Sequence, residues 1–229
     1  MLDLAFDAPP FRLSGMVYGA LLNHEGWLVE LGPAANLPPY KSPPKAPVLS
    51  IKPRQALVGA GAEVIVPGDA ECLVIAATLA LVLGRTACRI SEGDALDHLA
   101  GYTVACDLHL PHDSHYRPAL RSHARDGFCP IGPRVVLRQA VADPDRLAVR
   151  VKIDGRLAQE TSTAGMRRPV ARLLADVSEF ITLAPGDVLL LGAAAGAPRA
   201  AAGQRIEIDI DGLGCLDFRL LAEPQAGLR

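Results

Sequence analysis

Positions 73–83 read LVIAATLALVL, eleven residues with no charge and a single hydroxyl, Thr78. A helix needs about 20 apolar residues to cross a bilayer, so this run is too short for a span and must be covered by other parts of the chain. It reads as a strand, and many neighbouring segments read the same way. Strands are expected at 16–22, 27–31, 48–52, 62–66, 73–83, 102–108, 134–137, 147–153, 156–159, 188–191, 204–210 and 216–221. Ile206, Ile208 and Ile210 alternate with Glu207, Asp209 and Asp211, the period of a half-buried strand. Asp154-Gly155 and Asp211-Gly212 are turn signals between such runs. The 21 glycines and 19 prolines, against 4% aromatics, fit short strands joined by many turns.

Two helices stand out. Ser91, with Asp94 three residues on, resembles a capping box that opens a helix at 92–100. Pro169 suits a first helical position, and Val170, Leu173, Leu174, Val177 and Phe180 form one apolar stripe across 169–180. The chain is therefore expected to be α+β, mainly β, with few short helices and no βαβ alternation. Five prolines within 36–47 make an extended connector. It divides residues 1–47, a short N-terminal segment with its connector, from a main domain over 48–229. No internal repeat is visible.

At 229 residues, half of them hydrophobic, the chain can bury a sizeable core. A net charge of -2 leaves no basic excess for nucleic acid or an anionic membrane. The first residues, MLDLAFDAPPFRLSG, lack a positive stretch followed by an apolar one, so no signal peptide is expected. Cys72, Cys88, Cys106, Cys129 and Cys215 are odd in number and form no C-x-x-C. Reduced thiols in a cytoplasmic protein fit that pattern. No cysteine pairs with a histidine at a zinc-binding spacing, so a zinc site is not expected.

Four segments, in order, carry a likeness to a known family. They are YKSPPKAPVLSIKPR at 40–54, LALVLGRTACRISEGDALDHLAGYTVA at 79–105, YRPALRSHARDGFCPIGP at 116–133 and STAGMRRPVARLLADVSEFITLAPG at 162–186. Together they resemble the fumarylacetoacetate hydrolase family. The strings IKPR, ARDGFCPIGP and VSEFITLAPGD are most similar to the N-terminal half of its two-part isomerase/decarboxylase members from homoprotocatechuate breakdown. The resemblance implies a mixed β roll and a divalent metal, usually Mg2+, held by two glutamates at E-x-E on a strand and a later aspartate. Residues two apart on a strand share a face, and a hard cation wants oxygen ligands.

Alignment on Gly84 puts those positions at Ala76, Thr78 and Asp107. Only Asp107 can be a metal ligand, so Mg2+ binding is expected to be weak or absent. The resemblance also places an acid/base pair on a lid at His24 and Glu25, in Asn23-His24-Glu25. His123, three residues before Asp126, stands where the family has a lysine, and could donate to an oxyanion or shuttle a proton. Lys52, Arg54, Tyr116 and Arg117 lie in matched segments and are expected to receive substrate carboxylates. The Gly-Thr-Pro turn of the family reads Gly192-Ala193-Ala194, and the Ala- and Gly-rich loop 193–202 is expected to be mobile.

The function implied by the resemblance is that of a subunit of the isomerase/decarboxylase. It would act on 5-oxopent-3-ene-1,2,5-tricarboxylate and 2-hydroxyhepta-2,4-diene-1,7-dioate, a tricarboxylate and a dicarboxylate. The chain is expected to be a homo-oligomer, or a hetero-oligomer with a metal-bearing paralogous subunit. Two alternatives stay open: a non-catalytic structural subunit with a degenerate metal site, and an acylpyruvate-type hydrolase. No G-x-S-x-G elbow supplies another nucleophile.

Overall fold

The structure, a computed structural model, describes residues 4–112 and 120–224. In chain order the strands are β1 (Ala5–Phe6), β2 (Val17–Leu21), β3 (Val48–Lys52), β4 (Leu57–Val58), β5 (Ala62–Val66), β6 (Leu73–Leu83), β7 (Leu99–His109), β8 (Cys129–Leu137), β9 (Ala148–Ile153), β10 (Arg156–Ser162), β11 (Val188–Leu190), β12 (Arg199–Ala200), β13 (Arg205–Ile210) and β14 (Gly214–Ala222). The helices are α1 (Glu25–Leu31), α2 (Leu120–His123) and α3 (Val170–Ser178), with several single 3-10 turns. The chain is thus α+β and mostly strand. Among the described residues no helix is long and apolar enough to cross a membrane.

One sheet runs β1-β8-β7-β6-β11-β2-β3, with β4 also on β8 and β12 also on β6. The other runs β10-β9-β13-β14-β5. β1 and β2, which precede the Pro-rich connector, belong to the same sheet as β3, which follows it. The connector therefore joins neighbouring strands of one sheet.

β6 explains the arrangement, because all eleven of its residues are buried. Leu73, Ile75, Ala77, Leu79, Leu81 and Leu83 pack in one core with Ile206, Ile208 and Ile210 of β13 and with Val170, Leu173, Leu174 and Val177 of α3. Ala80 and Val82 face the opposite side, against Val17, Val188, Leu190, Ala105 and Ile131. A strand covered on both faces reads as a continuous apolar run rather than an alternating one. Each fully buried leucine contributes roughly 1.5–3 kcal/mol, so the odd-numbered face alone anchors the second sheet and α3.

The expected strands at 48–52, 62–66 and 73–83 are β3, β5 and β6 to the residue. The hairpin turn between β9 and β10 has Asp154 at φ 51° and Gly155 at φ 76°, the doubly positive pair of a type I′ turn. Three expectations are corrected. Residues 27–31 are not a strand but lie in α1, whose N-cap is His24: the Gly26 N–H donates to His24 Nδ1 at 3.0 Å. Histidine is not a usual cap residue, which hid the helix start. Residues 92–100 are not a helix. Ser91 Oγ bonds Asp94 Oδ2 at 2.6 Å and accepts from the Asp94 N–H at 3.2 Å, but this closes only a turn and the 3-10 stretch Ala95–His98. Pairing of β7 with β6 begins at Leu99 and claims the next residues, a tertiary override of local propensity. Finally, α3 stops at Ser178, so Phe180 leaves the apolar stripe and is 58% exposed, while Pro169 sits at the N-cap.

The 193–202 loop is also more constrained than its composition suggests. Ala194 and Ala200 are buried, β12 pairs with β6, and the Ile75 N–H donates to the Pro198 carbonyl at 2.8 Å. Small side chains here let the loop pack closely on β6.

The β7–β8 contact supplies a test of this packing. A Cβ on Gly101 would overlap the Val136 carbonyl oxygen and lie 2.8 Å from its carbon. Gly101→Ala should destabilise the protein by about 3 kcal/mol, read as a lower urea midpoint. Gly93→Ala, whose nearest neighbour would be Ser91 Oγ at 3.8 Å, should move the midpoint little.

Candidate functional site

The register of β6 and β7 places Ala76 directly opposite Asp107 and Thr78 opposite Ala105. Directly paired residues on antiparallel strands share a face, with Cβ atoms roughly 4.5–5.5 Å apart. Ala76, Thr78 and Asp107 therefore converge on the face of β6 turned away from the α3 core. Ala76 and Asp107 line one small cleft of about 30 Å³, together with Trp27, His109, His112, His123 and Ala193 among others.

Each of the three strand positions has a definite role. Ala76 offers only a methyl group. Thr78 is buried, and its hydroxyl both accepts from the Gly192 N–H and donates to the Gly192 carbonyl, each at 3.0 Å. That reciprocal bond holds the Gly192 turn, whose φ of 105° favours glycine. The hydroxyl is committed to backbone rather than to a metal. Asp107 Oδ1 lies 2.6 Å from Lys52 Nζ.

Lys52 is buried completely. Its ammonium donates to the carbonyls of Leu108 (2.6 Å), His123 (2.8 Å) and Phe128 (3.0 Å), beside the Asp107 carboxylate. With three N–H groups and four oxygens around it, the lysine has no donor left for a ligand. It fastens β3 to the end of β7 and to the segment leading into β8. Burial raises the Asp107 carboxyl, but the Lys52 ammonium and His123 outweigh it and hold the group below the ordinary carboxylate range. The pair is close to neutral overall, whereas the E-x-E-plus-Asp arrangement offers three negative charges. The residues present therefore do not fit Mg2+, which prefers octahedral oxygen coordination.

Histidines fill the space instead. His123, at the end of α2, is buried, and its Nδ1 faces Asp107 Oδ1 at 3.5 Å. α2 is brought beside the end of β7 by a bond from the Leu110 N–H to the Ser122 carbonyl. His109 stacks on His123 with ring centroids 4.6 Å apart, and His112 Nε2 lies 3.1 Å from His123 Nε2. One nitrogen from each ring lies within 4.8 Å of the others, a grouping able to hold a metal ion. Burial lowers the His109 imidazole to about 4, with the nearby Asp107 carboxylate opposing the shift. His109 is therefore neutral at pH 7. The spacing His109-x-x-His112 is visible in the sequence, but it contains no cysteine and so matches none of the cysteine–histidine zinc patterns.

The remaining expected site residues lie apart or beyond description. His24 caps α1 through Nδ1, and a Cβ on Gly165 would come 2.5 Å from its Nε2. Burial lowers its pKa, partly offset by Glu25. Neither His24 nor the exposed Glu25 lines the cleft; α1 reaches it through Trp27, whose Nε1 donates to the Ala193 carbonyl at 3.0 Å. Arg54 is exposed, and its aliphatic part covers Gly15. Tyr116 and Arg117 fall outside the described residues. The structure thus brings together Lys52, Asp107 and His123, and adds His109 and His112.

Comparison with known proteins places the chain in a family. Residues 16–221 match the family described as fumarylacetoacetate (FAA) hydrolase C-terminal. The chain is 38% identical over 217 residues to the 4-hydroxyphenylacetate degradation bifunctional isomerase/decarboxylase of Escherichia coli, covering 95% of this chain and 49% of that protein. It spans about half the length of that relative. Among solved structures, 5-carboxymethyl-2-hydroxymuconate delta-isomerase from Mycobacterium smegmatis superposes with a TM-score of 0.79 at 26% identity, covering 93% of this chain and 81% of that one. Fumarylpyruvate hydrolase from Pseudomonas aeruginosa, solved with Mn2+ and pyruvate, gives a TM-score of 0.81 at 24% identity, covering 96% and 95%. The latter is a likeness of fold alone.

The buried pair generates a direct prediction. Lys52→Met leaves Asp107 buried without its cation and should cost about 3–5 kcal/mol. Because the Asp107 carboxyl is depressed in the fold, the pair's contribution is present above the unfolded carboxyl value of about 4 and is lost as pH falls below it. Asp107→Asn should therefore flatten the acid limb of a plot of denaturation free energy against pH. An acid limb identical to that of the parent protein would remove the pair from this role.

Proposed function

The chain belongs to the fumarylacetoacetate hydrolase family, and from that premise we propose that it is one half of a two-part isomerase/decarboxylase of 4-hydroxyphenylacetate (homoprotocatechuate) degradation. Its substrates would be 5-oxopent-3-ene-1,2,5-tricarboxylate and 2-hydroxyhepta-2,4-diene-1,7-dioate. The identity of 38% along nearly the whole chain, set against about half of the relative, supports the assignment to one half of such an enzyme. The reading places the protein in the cytoplasm, where these small acids would be processed.

One observation supports the half without the magnesium site. The positions opposite and beside Asp107 on β6 are Ala76 and Thr78. The oxygen-ligand magnesium site then belongs to a paralogous half carrying E-x-E, joined to this one covalently or as a separate subunit. This half contributes association through its sheet-rich body and a shaped cleft at Asp107, His109 and His123. Apolar surface that either half leaves open alone is covered on pairing. That other half would hold the magnesium and supply its Lewis acidity. No such step is assigned to Asp107, which is already neutralised by Lys52.

Two measurements check this. Calorimetric titration of the chain alone with Mg2+ should show no site of micromolar affinity, while Ala76→Glu/Thr78→Glu should gain one. That double variant also loses the Thr78 bond to Gly192, so it should unfold at lower urea, by about 1–3 kcal/mol. Mixed with an E-x-E paralogue, the chain should form a hetero-oligomer that consumes the conjugated tricarboxylate faster than the paralogue alone. Turnover by this chain alone at about 1 per second or more would contradict the assignment, as would failure to associate.

A further inference from the structure

We propose that His109, His112 and His123 form a binding site for a divalent late transition metal, with zinc as its preferred ion, separate from the oxygen-ligand magnesium position of the family. The proposal does not depend on the isomerase/decarboxylase reading, since it concerns only the donor set of this chain.

The geometry carries it. Around a tetrahedral zinc ion with Zn–N distances of about 2.0–2.1 Å, the ligand nitrogens lie roughly 3.3–3.4 Å from one another. His112 Nε2 and His123 Nε2 already stand 3.1 Å apart, and one nitrogen of His109 completes a set within 4.8 Å. The cleft they line, at about 30 Å³, has room for a single ion.

The outer contacts also suit metal binding. His109 Nδ1 lies 3.0 Å from its neighbouring Leu110 carbonyl, which fixes that nitrogen as the donor and turns the Nε2 lone pair outward. His123 Nδ1 faces Asp107 Oδ1, which leaves its Nε2 turned to His112 Nε2, a hydrogen bond that a metal ion between the rings would replace. A carbonyl and a carboxylate behind ligating imidazoles are the partners that orient such ligands and raise their basicity. Asp107 is itself anchored by Lys52, so the support behind His123 is rigid. Imidazole nitrogens favour zinc, copper, nickel or cobalt over magnesium. Three nitrogens leave a tetrahedral ion one position for water or a ligand oxygen, the coordination of sites that do chemistry rather than hold a fold together.

The test uses the full chain, stripped with a chelator and then titrated with zinc against a chromophoric indicator. One equivalent should bind with a dissociation constant of micromolar or tighter, and millimolar Mg2+ should not displace it. His109→Gln and His112→Gln should each weaken binding at least about tenfold, and the double variant should abolish the site. Exposed thiols are the competing source of affinity, so Cys88→Ser/Cys215→Ser should bind as the parent does. Cobalt substitution gives a second readout. Visible d–d bands of low-symmetry, nitrogen-rich coordination should appear in the parent protein and be missing from the histidine double variant. Each variant is checked for fold by its thermal transition without metal, and zinc should raise that transition in the parent only. Zinc affinity unchanged in a folded His109→Gln/His112→Gln protein would overturn the proposal. So would loss of the affinity in the cysteine variant, or no binding below millimolar zinc.

Discussion

A strand buried on both faces cannot carry an uncompensated charge, and β6 is buried at every position. Two glutamates on its even-numbered face are tolerable only with a cation between them, because an ionised carboxylate in a dry interior is otherwise costly by several kcal/mol. In this chain neither Ala76 nor Thr78 carries a charge. Ala76 leaves a methyl group, and Thr78 turns its hydroxyl to the backbone of Gly192. The strand keeps its place between β7 and β11 in the sheet, with α3 and β13 packed on its odd-numbered face. The odd-numbered face of β6 builds the core, and the even-numbered face carries no carboxylate.

Asp107 and Lys52 hold each other in place. The lysine binds three backbone carbonyls from three places in the chain as well as the carboxylate, so removing either charge strands the other. A buried polar cluster of this kind is stable when every member is satisfied. Its position also decides the chemistry beside it. The carboxylate stands behind His123, and the three imidazoles gather beside it.

Much of the fold was legible in the sequence, for a physical reason. β3, β5 and β6 have patterns set by burial, and the Asp154-Gly155 turn by backbone stereochemistry, both local in sequence. The misread elements were decided by contacts elsewhere. α1 begins on a histidine cap, and residues 92–100 yield to the pairing of β7 with β6. At the site, the likeness in sequence pointed to positions 76, 78 and 107, and the register of β6 with β7 sets 76 opposite 107. The roles of Lys52 and the three histidines were not legible. Lys52 looks like an ordinary basic residue until its four oxygens are in view. His109 and His112 lie far enough from His123 in sequence that only the return of α2 beside β7 reveals their convergence.

On this reading an oxygen-ligand metal position has given way to a nitrogen-ligand one beside it. Anomalous diffraction from crystals soaked in equimolar zinc and manganese, with data collected at both absorption edges, separates the two positions in a single experiment. A zinc peak is expected among the imidazoles of His109, His112 and His123, with no manganese peak between Asp107 and residues 76 and 78. A manganese peak on Asp107 with no density at the histidines would contradict the replacement.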